Sequence, residues 1–231
     1  MNSPVLPSHL ANLISSLWEC GAIAIDLETG FQLAFHEHYP DAPCAPLYMD
    51  LRTKNNKDGR LRQDEVGRVG LALDILAREK QVDGNWICGI PNAGVPFGKA
   101  LSQIRTIQHL DLVKRMVEGH HQFDFVNGSR PDATSKVLLV DDLISDATVK
   151  RLALNLVKQT GADVTLLVLM DRQQGGLEAL RAEGYKAYAA FTLSEFLAES
   201  LRIRRLTPDQ HAAAAGYPAV LSAYKAEHGI L

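Results

Sequence analysis

Apolar residues recur along this chain of 231 residues in two rhythms. Over residues 8–20, Leu10, Leu13, Ile14 and Leu17 keep the spacing of one helical face, and Gly21 stands where a C-terminal cap belongs. The same period returns over residues 61–80 in Val66, Val69, Leu73 and Leu76, closed by basic residues that suit a helix C-terminus. Val149, Leu152, Ala153, Leu156 and Val157 make a third such face. The second rhythm is the short continuous apolar run that a strand buried on both faces requires. Such runs start near residues 85, 107, 137, 163 and 185 and alternate with helical segments. The pattern predicts an α/β domain with a five-stranded parallel sheet and helices on both faces. Thr192 to Glu195 and Thr207 to Gln210 read as capping boxes that open two further helices, the second with Pro208 at its first position.

Two regions lie outside that alternation. Residues 22–26 and 31–35 are β-like runs separated by Glu28-Thr29-Gly30, which has the chemistry of a hairpin turn. A loop with Pro40, Pro43 and Pro46 follows. Residues 116–123 have no apolar period and read as a mobile loop between the run at 107–115 and Phe123 to Val126. No internal repeat or compositional break divides the chain. We therefore expect one domain, with residues 1–52 forming an N-terminal helix and hood and residues 53–231 the core and a C-terminal helix.

Composition narrows the partners. Hydrophobic residues make up 46% of the chain, enough for a substantial core, and the net charge of −3 offers no footprint for nucleic acid or an anionic membrane. No apolar run approaches a membrane span and no signal peptide is recognised, so the cytoplasm is the expected compartment. Cys20, Cys44 and Cys88 are too few and too scattered for a disulfide framework and read as buried reduced thiols. His36 and His38, two apart, share one face if that stretch is a strand. With Cys44 they suggest a zinc site, but without a fourth ligand a polar strand face suits them better, and a substrate-contacting role also ranks above metal.

The richest chemistry lies in Val-Leu-Leu-Val-Asp-Asp-Leu-Ile-Ser-Asp-Ala-Thr, residues 137–148. A buried strand that ends in Asp141 and Asp142 and turns through Ser145 into a helix would gather free N–H groups and a helix dipole at one point, as a phosphate requires. Taken alone, the pattern equally fits a core strand capped by acids. A second strand breaks into Gly-Ile-Pro-Asn-Ala-Gly-Val-Pro, residues 89–96, another small-residue loop before a helix.

These segments together resemble the type I phosphoribosyltransferases, and orotate phosphoribosyltransferases in particular. Residues 137–148 resemble the motif that binds phosphoribosyl pyrophosphate (PRPP), and residues 89–96 the pyrophosphate loop. Asp-Arg-Gln-Gln-Gly-Gly, residues 171–176, resembles the Leu-Asp-Arg-x-Gln-Gly-Gly signature, and residues 46–52 the Tyr-x-Asp-Leu-Arg segment of the hood. The resemblance covers about residues 46–229. It implies the type I phosphoribosyltransferase fold with a small N-terminal hood, and transfer of a phosphoribosyl group from PRPP to orotate in pyrimidine biosynthesis. It assigns PRPP to Asn92, Ala93, Gly94, Asp141, Asp142, Ser145, Asp146, Ala147 and Thr148, and the base to Tyr48, Met49 and Arg172. It implies Mg²⁺ held mainly through the substrate, and a homodimer with shared lids. In the lid, counting back from Asn127-Gly128 places Lys114 and Arg115 at a basic pair and His120 at the family's histidine, so that Lys114, Arg115 and His120 join Asp141 and Asp142 as catalytic candidates.

The chain also departs from the family. Glu118 stands where the lid has a lysine, Ala147 where the PRPP loop has glycine, and residues 31–51 lack the hood's lysine altogether. Either the lid is shifted in register, with His121 sharing the work, or ordinary catalysis is impaired. The alternatives are a paralogue that binds PRPP or a nucleotide as a regulator, and a transferase for another base.

Overall fold

The structure, a computed structural model, describes residues 6–53, 59–126, 128 and 130–230. Helix α1 (Ser8–Glu19) buries Leu10, Leu13, Ile14 and Leu17, the four positions its period singles out. Strands β1 (Ile23–Ile25) and β2 (Leu47–Met49) form the hood and pair antiparallel. The core then runs α2 (Gln63–Glu79), β3 (Trp86–Gly89), α3 (Gly94–Arg105) and β4 (Gln108–His109). A separate antiparallel hairpin, β5 (Leu112–Val117) and β6 (His120–Phe125), interrupts it. After the hairpin come β7 (Lys136–Ile144), α4 (Thr148–Lys158), β8 (Asp163–Asp171), α5 (Gly176–Ala182), β9 (Lys186–Thr192), α6 (Leu193–Arg202) and α7 (Pro208–Glu227).

Strands β4-β3-β7-β8-β9 make one parallel sheet in that order, the five-stranded sheet that the alternation predicts. Side chains of β7 alternate between two cores. Leu138 and Val140 pack with α1, α2, α3 and α6, whereas Val137 and Leu139 pack with α4 and α5 on the other face. Both expected capping boxes form: the Thr192 hydroxyl accepts from the Glu195 N–H at 3.2 Å, and the Thr207 hydroxyl from the Gln210 N–H at 3.2 Å. Among the described residues no helix is long and apolar enough to cross a membrane.

Several expectations fail where tertiary contacts override local pattern. Residues 22–26 and 31–35 do not form a hairpin. The Asp26 carboxylate accepts the N–H groups of Glu28 and Thr29, which turns the chain away from its own return path. β1 then pairs with β2, whose Leu47 and Met49 pack against the core, while only Phe31 makes a bridge, to Ala45. His36 and His38 lie at a 3-10 turn (Ala34–Glu37) and not on a strand: His36 is buried and His38 exposed. No metal-ligating cluster of three His, Cys, Asp or Glu forms among the described residues, Cys44 included. Cys88 is buried, but Cys20 and Cys44 are only half-buried; all three are free thiols. The run at 107–115 supplies just two residues to the sheet, and residues 116–123 are the tip of the β5–β6 hairpin, which turns at Glu118 and Gly119 (φ +49° and +80°). Leu152 is exposed; the buried face of α4 is Ala153, Leu154 and Val157.

Two predictions follow from this packing. Phe196 is fully buried and lies between Trp18 and Phe191, with ring centroids 6.3 Å from each. It ties α1 and α6 to the sheet. Phe196→Ala should cost about 3–5 kcal/mol in urea unfolding, and a loss under about 1 kcal/mol would show that the site repacks. The second concerns His109, whose Nε2 accepts the Gly89 N–H at 3.2 Å while Nδ1 lies 3.1 Å from Asp111. Burial lowers its pKa, Asp111 opposes this and Lys99 adds to it, so the ring folds neutral. The unfolded chain takes up a proton near pH 6.5 that the folded ring resists, and stability is therefore lost as pH falls through and below about 6.5. Between about pH 7.5 and 5.5 the melting temperature of the wild type should drop further than that of His109→Gln. Equal drops would remove His109 from the account.

Candidate active site

β3 and β7 lie side by side only as far as Gly89 opposite Val140. Beyond that pair β3 turns into the loop at residues 90–93, while β7 continues beside β8 to Ile144 opposite Asp171. The chain leaves β3 for β4 on one side and reaches β7 on the other, so a crevice opens at the topological switch of the sheet, at the carboxyl ends of its strands. Asp141 and Asp142 belong to the prolonged part of β7 at this end of the sheet, Asp141 buried and Asp142 half-buried.

Two loops close on it. The Ile90 N–H donates to Val140 O at 2.8 Å, and Gly94 opens α3 so close to β7 that a Cβ there would lie 2.3 Å from Val140 O. Only glycine fits, and the N-terminus of α3, with Asn92 exposed beside it, is thereby brought against Asp141. The second loop, Ser145 to Thr148, leads into α4. Ala147 is buried and adopts φ +67°, a left-handed conformation that glycine takes without strain and alanine does not. The Asp146 carboxylate accepts the Thr148 N–H at 3.0 Å. It thus occupies one donor of the cradle that a phosphate would use. Residues 171–176 wrap this loop from outside: the Arg172 N–H donates to Ile144 O at 2.9 Å and the Gly176 N–H to Ser145 O at 2.8 Å. A Cβ on Gly176 would lie 2.3 Å from Ser145 O, so the second glycine of the pair is fixed by close approach.

Charge is concentrated at the centre. Lys150, in the first turn of α4, bonds Asp141 at 2.9 Å, with their side chains only 17% and 6% exposed. The spacing of residues gives no hint of this pair. Burial disfavours the Lys150 ammonium, but Asp141 and Asp142 outweigh it and hold its pKa above the usual lysine value. Burial and the neighbouring Asp141 push Asp142 up to about 7, against the pull of Lys150. Burial and the charge of Lys150 lower the pKa of Lys114, and Asp141 raises it, so this lid residue faces the same cluster.

The hairpin sorts the remaining lid candidates. Residues paired across an antiparallel ribbon share a face. Lys114 pairs with Phe123 and Met116 with His121, and the buried Phe123 seats that face on the core beside α4. Arg115 and His120, both exposed to solvent, belong to the opposite face, where Arg115 lies 3.8 Å from Asp124. Lys114, Arg115 and His120 therefore do not converge within the chain; Lys114 and His121 are the pair that shares the inner face. Glu118 sits at the turn. Asn127, from which the lid alignment counts, lies outside the described residues.

Next to the crevice is a pocket of about 500 Å³, counted out to its open mouth. Tyr48 and Met49 of the hood line it, with Leu143, Arg172 and Leu193. Tyr217 of α7 lines it too, its hydroxyl donating to Pro43 O at 3.0 Å. No sequence motif pointed to Tyr217. The Arg172 side chain makes no hydrogen bond or ion pair among the described residues. Burial lowers its pKa, opposed by Tyr217 and Asp142. An arginine that stays charged in largely apolar surroundings calls for an anionic partner.

No protein-family model matches the chain. Among curated proteins, the uridine 5'-monophosphate synthase of Bos taurus is 26% identical over 162 residues, 66% of this chain and 31% of that protein. The orotate phosphoribosyltransferase of Pyrococcus furiosus is 28% identical over 120 residues, 52% of this chain and 65% of that one. The chain thus spans less than two thirds of the length of these relatives. Among solved structures, the UMP synthase of Leishmania donovani superposes with a TM-score of 0.69 at 20% identity, over 90% of this chain and 42% of that chain. The chain is thus similar in sequence to proteins named orotate phosphoribosyltransferase and uridine 5'-monophosphate synthase, and it shares the fold of the solved UMP synthase.

Proposed function

We propose that the chain transfers the phosphoribosyl group of PRPP to orotate, giving orotidine 5'-phosphate and pyrophosphate in pyrimidine biosynthesis. The observation that carries this reading is the Arg172 guanidinium, without a hydrogen bond or ion pair among the described residues, in a largely apolar pocket beside the two loops that open α3 and α4. Orotate is flat and carries one carboxylate, which a guanidinium can hold with two parallel bonds. Tyr48 and Met49 cover the ring. Ser145, Asp146, Ala147 and Thr148 hold the 5-phosphate; Asn92, Ala93 and Gly94 hold the pyrophosphate; Asp142 holds ribose hydroxyls. As pyrophosphate departs, positive charge grows on the ribose ring. The protein has to align the two reactants, neutralise the leaving group and exclude water. Lys114 supplies charge to the leaving group from the hairpin, with His121 on the same face. Arg115 and His120, turned outward, serve the reaction only from one protomer to its partner in a homodimer. A cytoplasmic location completes the reading.

Mg²⁺ belongs to this proposal as an ion carried by the substrate. Both oxygens of Asp141 are engaged, one by Lys150 and one by the Asp142 N–H, and no cluster of three acidic, His or Cys side chains forms among the described residues. The site therefore fits a cation bound chiefly by diphosphate oxygens, where it would neutralise and template the leaving group. A second reading, a PRPP-binding regulator without turnover, is favoured by Asp146 in the phosphate cradle and Glu118 at the lid turn.

Purified protein with PRPP and Mg²⁺ should consume orotate, followed by its ultraviolet absorbance, and Arg172→Ala should lower turnover about 100-fold while leaving PRPP binding within a few-fold, since one charge-assisted pair is lost. PRPP binding without turnover in the wild type would select the regulator. Asp146→Ala should have two opposed effects: PRPP binds about 5–10-fold tighter, because a carboxylate leaves the cradle, and stability falls by about 1 kcal/mol with the lost hydrogen bond from the Thr148 N–H. Weaker PRPP binding in that variant would place the 5-phosphate elsewhere.

A further inference from the structure

Lys150 is a costly residue where it stands. It lies in the first turn of α4, where the helix dipole opposes a cation, and its ammonium is drawn out of water into the crevice. A lysine at such a position ordinarily extends into solvent. Here it bends back to β7 and bonds Asp141 Oδ2 at 2.9 Å. The other oxygen of Asp141 accepts the Asp142 N–H at 3.0 Å and lies where a Cβ on Gly94 would come within 3.0 Å of it. Asp141 is thus clamped between the pyrophosphate loop, β7 and Lys150, with each oxygen already engaged by a partner in the fold.

The charges around the crevice show what the arrangement achieves. Asp141 and Asp142 alone would present two carboxylates to a ligand bearing several negative charges. Lys150, with Lys114 from the hairpin, balances them. The lid turn brings Glu118 in place of a basic residue, and residues 31–51 of the hood contain no Lys or Arg. Lys150 is held by the core of the fold itself, next to the pyrophosphate loop.

We propose that Lys150 is a PRPP-binding residue, set at the ribose–diphosphate end of the crevice by Asp141, and that its ammonium takes over part of the charge neutralisation otherwise left to a divalent cation. Asp141 is then a positioning residue, and Asp142 alone meets the ribose hydroxyls. This rests on the phosphoribosyltransferase reading. It predicts a site that still grips PRPP when metal is stripped away.

The test is calorimetric titration of PRPP into the full chain, in Mg²⁺ and in EDTA, for the wild type, Lys150→Met and the double variant Asp141→Asn/Lys150→Met. The double variant removes both charges of the buried pair, so it retains a compact crevice if the single variant unfolds; melting curves establish which proteins are folded. The wild type should lose less than about 10-fold in affinity on chelation. Lys150→Met should bind PRPP at least about 10-fold more weakly in EDTA and recover most of the loss in Mg²⁺; the double variant, which also sheds the repulsion of the Asp141 carboxylate, should show a smaller loss in the same direction. Variants that bind like the wild type under both conditions would overturn the assignment of Lys150, as would a wild type whose binding vanishes in EDTA. No PRPP binding by the wild type under either condition would overturn the phosphoribosyltransferase reading itself, and this inference with it.

Discussion

Parallel pairing between β3 and β7 stops at Gly89 and Val140, and the crevice exists because one strand turns away while the other runs on. A parallel sheet whose neighbours end together would bury Asp141 and Asp142 against a partner strand. Here the parted strands leave room for the loop at residues 90–93, and the N-terminus of α3 is pressed on the end of β7 at Gly94. The same parting lets residues 145–148 turn into α4 on the other side. Two helix N-termini consequently come close to the end of β7, and their backbone N–H groups are fixed by the fold and cost nothing to reorganise when an anion arrives.

Support for this arrangement comes from outside the crevice. Residues 171–176 hold the second loop by backbone hydrogen bonds, and His109 holds Gly89 from the sheet edge. The hood contributes differently. Its two short strands and Tyr217 of α7 line the pocket that holds Arg172. The apolar lining strengthens the attraction of that guanidinium for a carboxylate, since less solvent is there to screen it.

The departures from the family pattern fall into one physical scheme. Asp146 and Ala147 make the loop before α4 less open to an anion, one by occupying a donor and one by taking strain at φ +67°. Glu118 puts a carboxylate at the turn of the β5–β6 hairpin. Against these losses stands Lys150, a cation pinned inside the crevice where a flexible lid is not needed to deliver it. A fixed ammonium gives up the gating that a lid offers, but it is preorganised, and side-chain entropy is lost on folding rather than on binding.

The sequence by itself determined the sheet, its five strands and most of the helices, because these follow from local periodicity, capping boxes and turn residues that need no distant partner to be read. It determined the three loop motifs for the same reason: each is contiguous, and its chemistry lies in neighbouring residues. Only the tertiary structure decided that β1 pairs with β2 and not with residues 31–35, since that choice depends on which apolar face reaches the core. Only it divided the lid, because register across the β5–β6 ribbon sets which face each side chain takes, and a loop read without register has no faces. Tyr217 and Lys150 were equally invisible. Each meets the site through space, Tyr217 from a helix far along the chain and Lys150 by folding back from a first turn whose spacing marks it as surface, and neither contact leaves a periodic trace in the sequence.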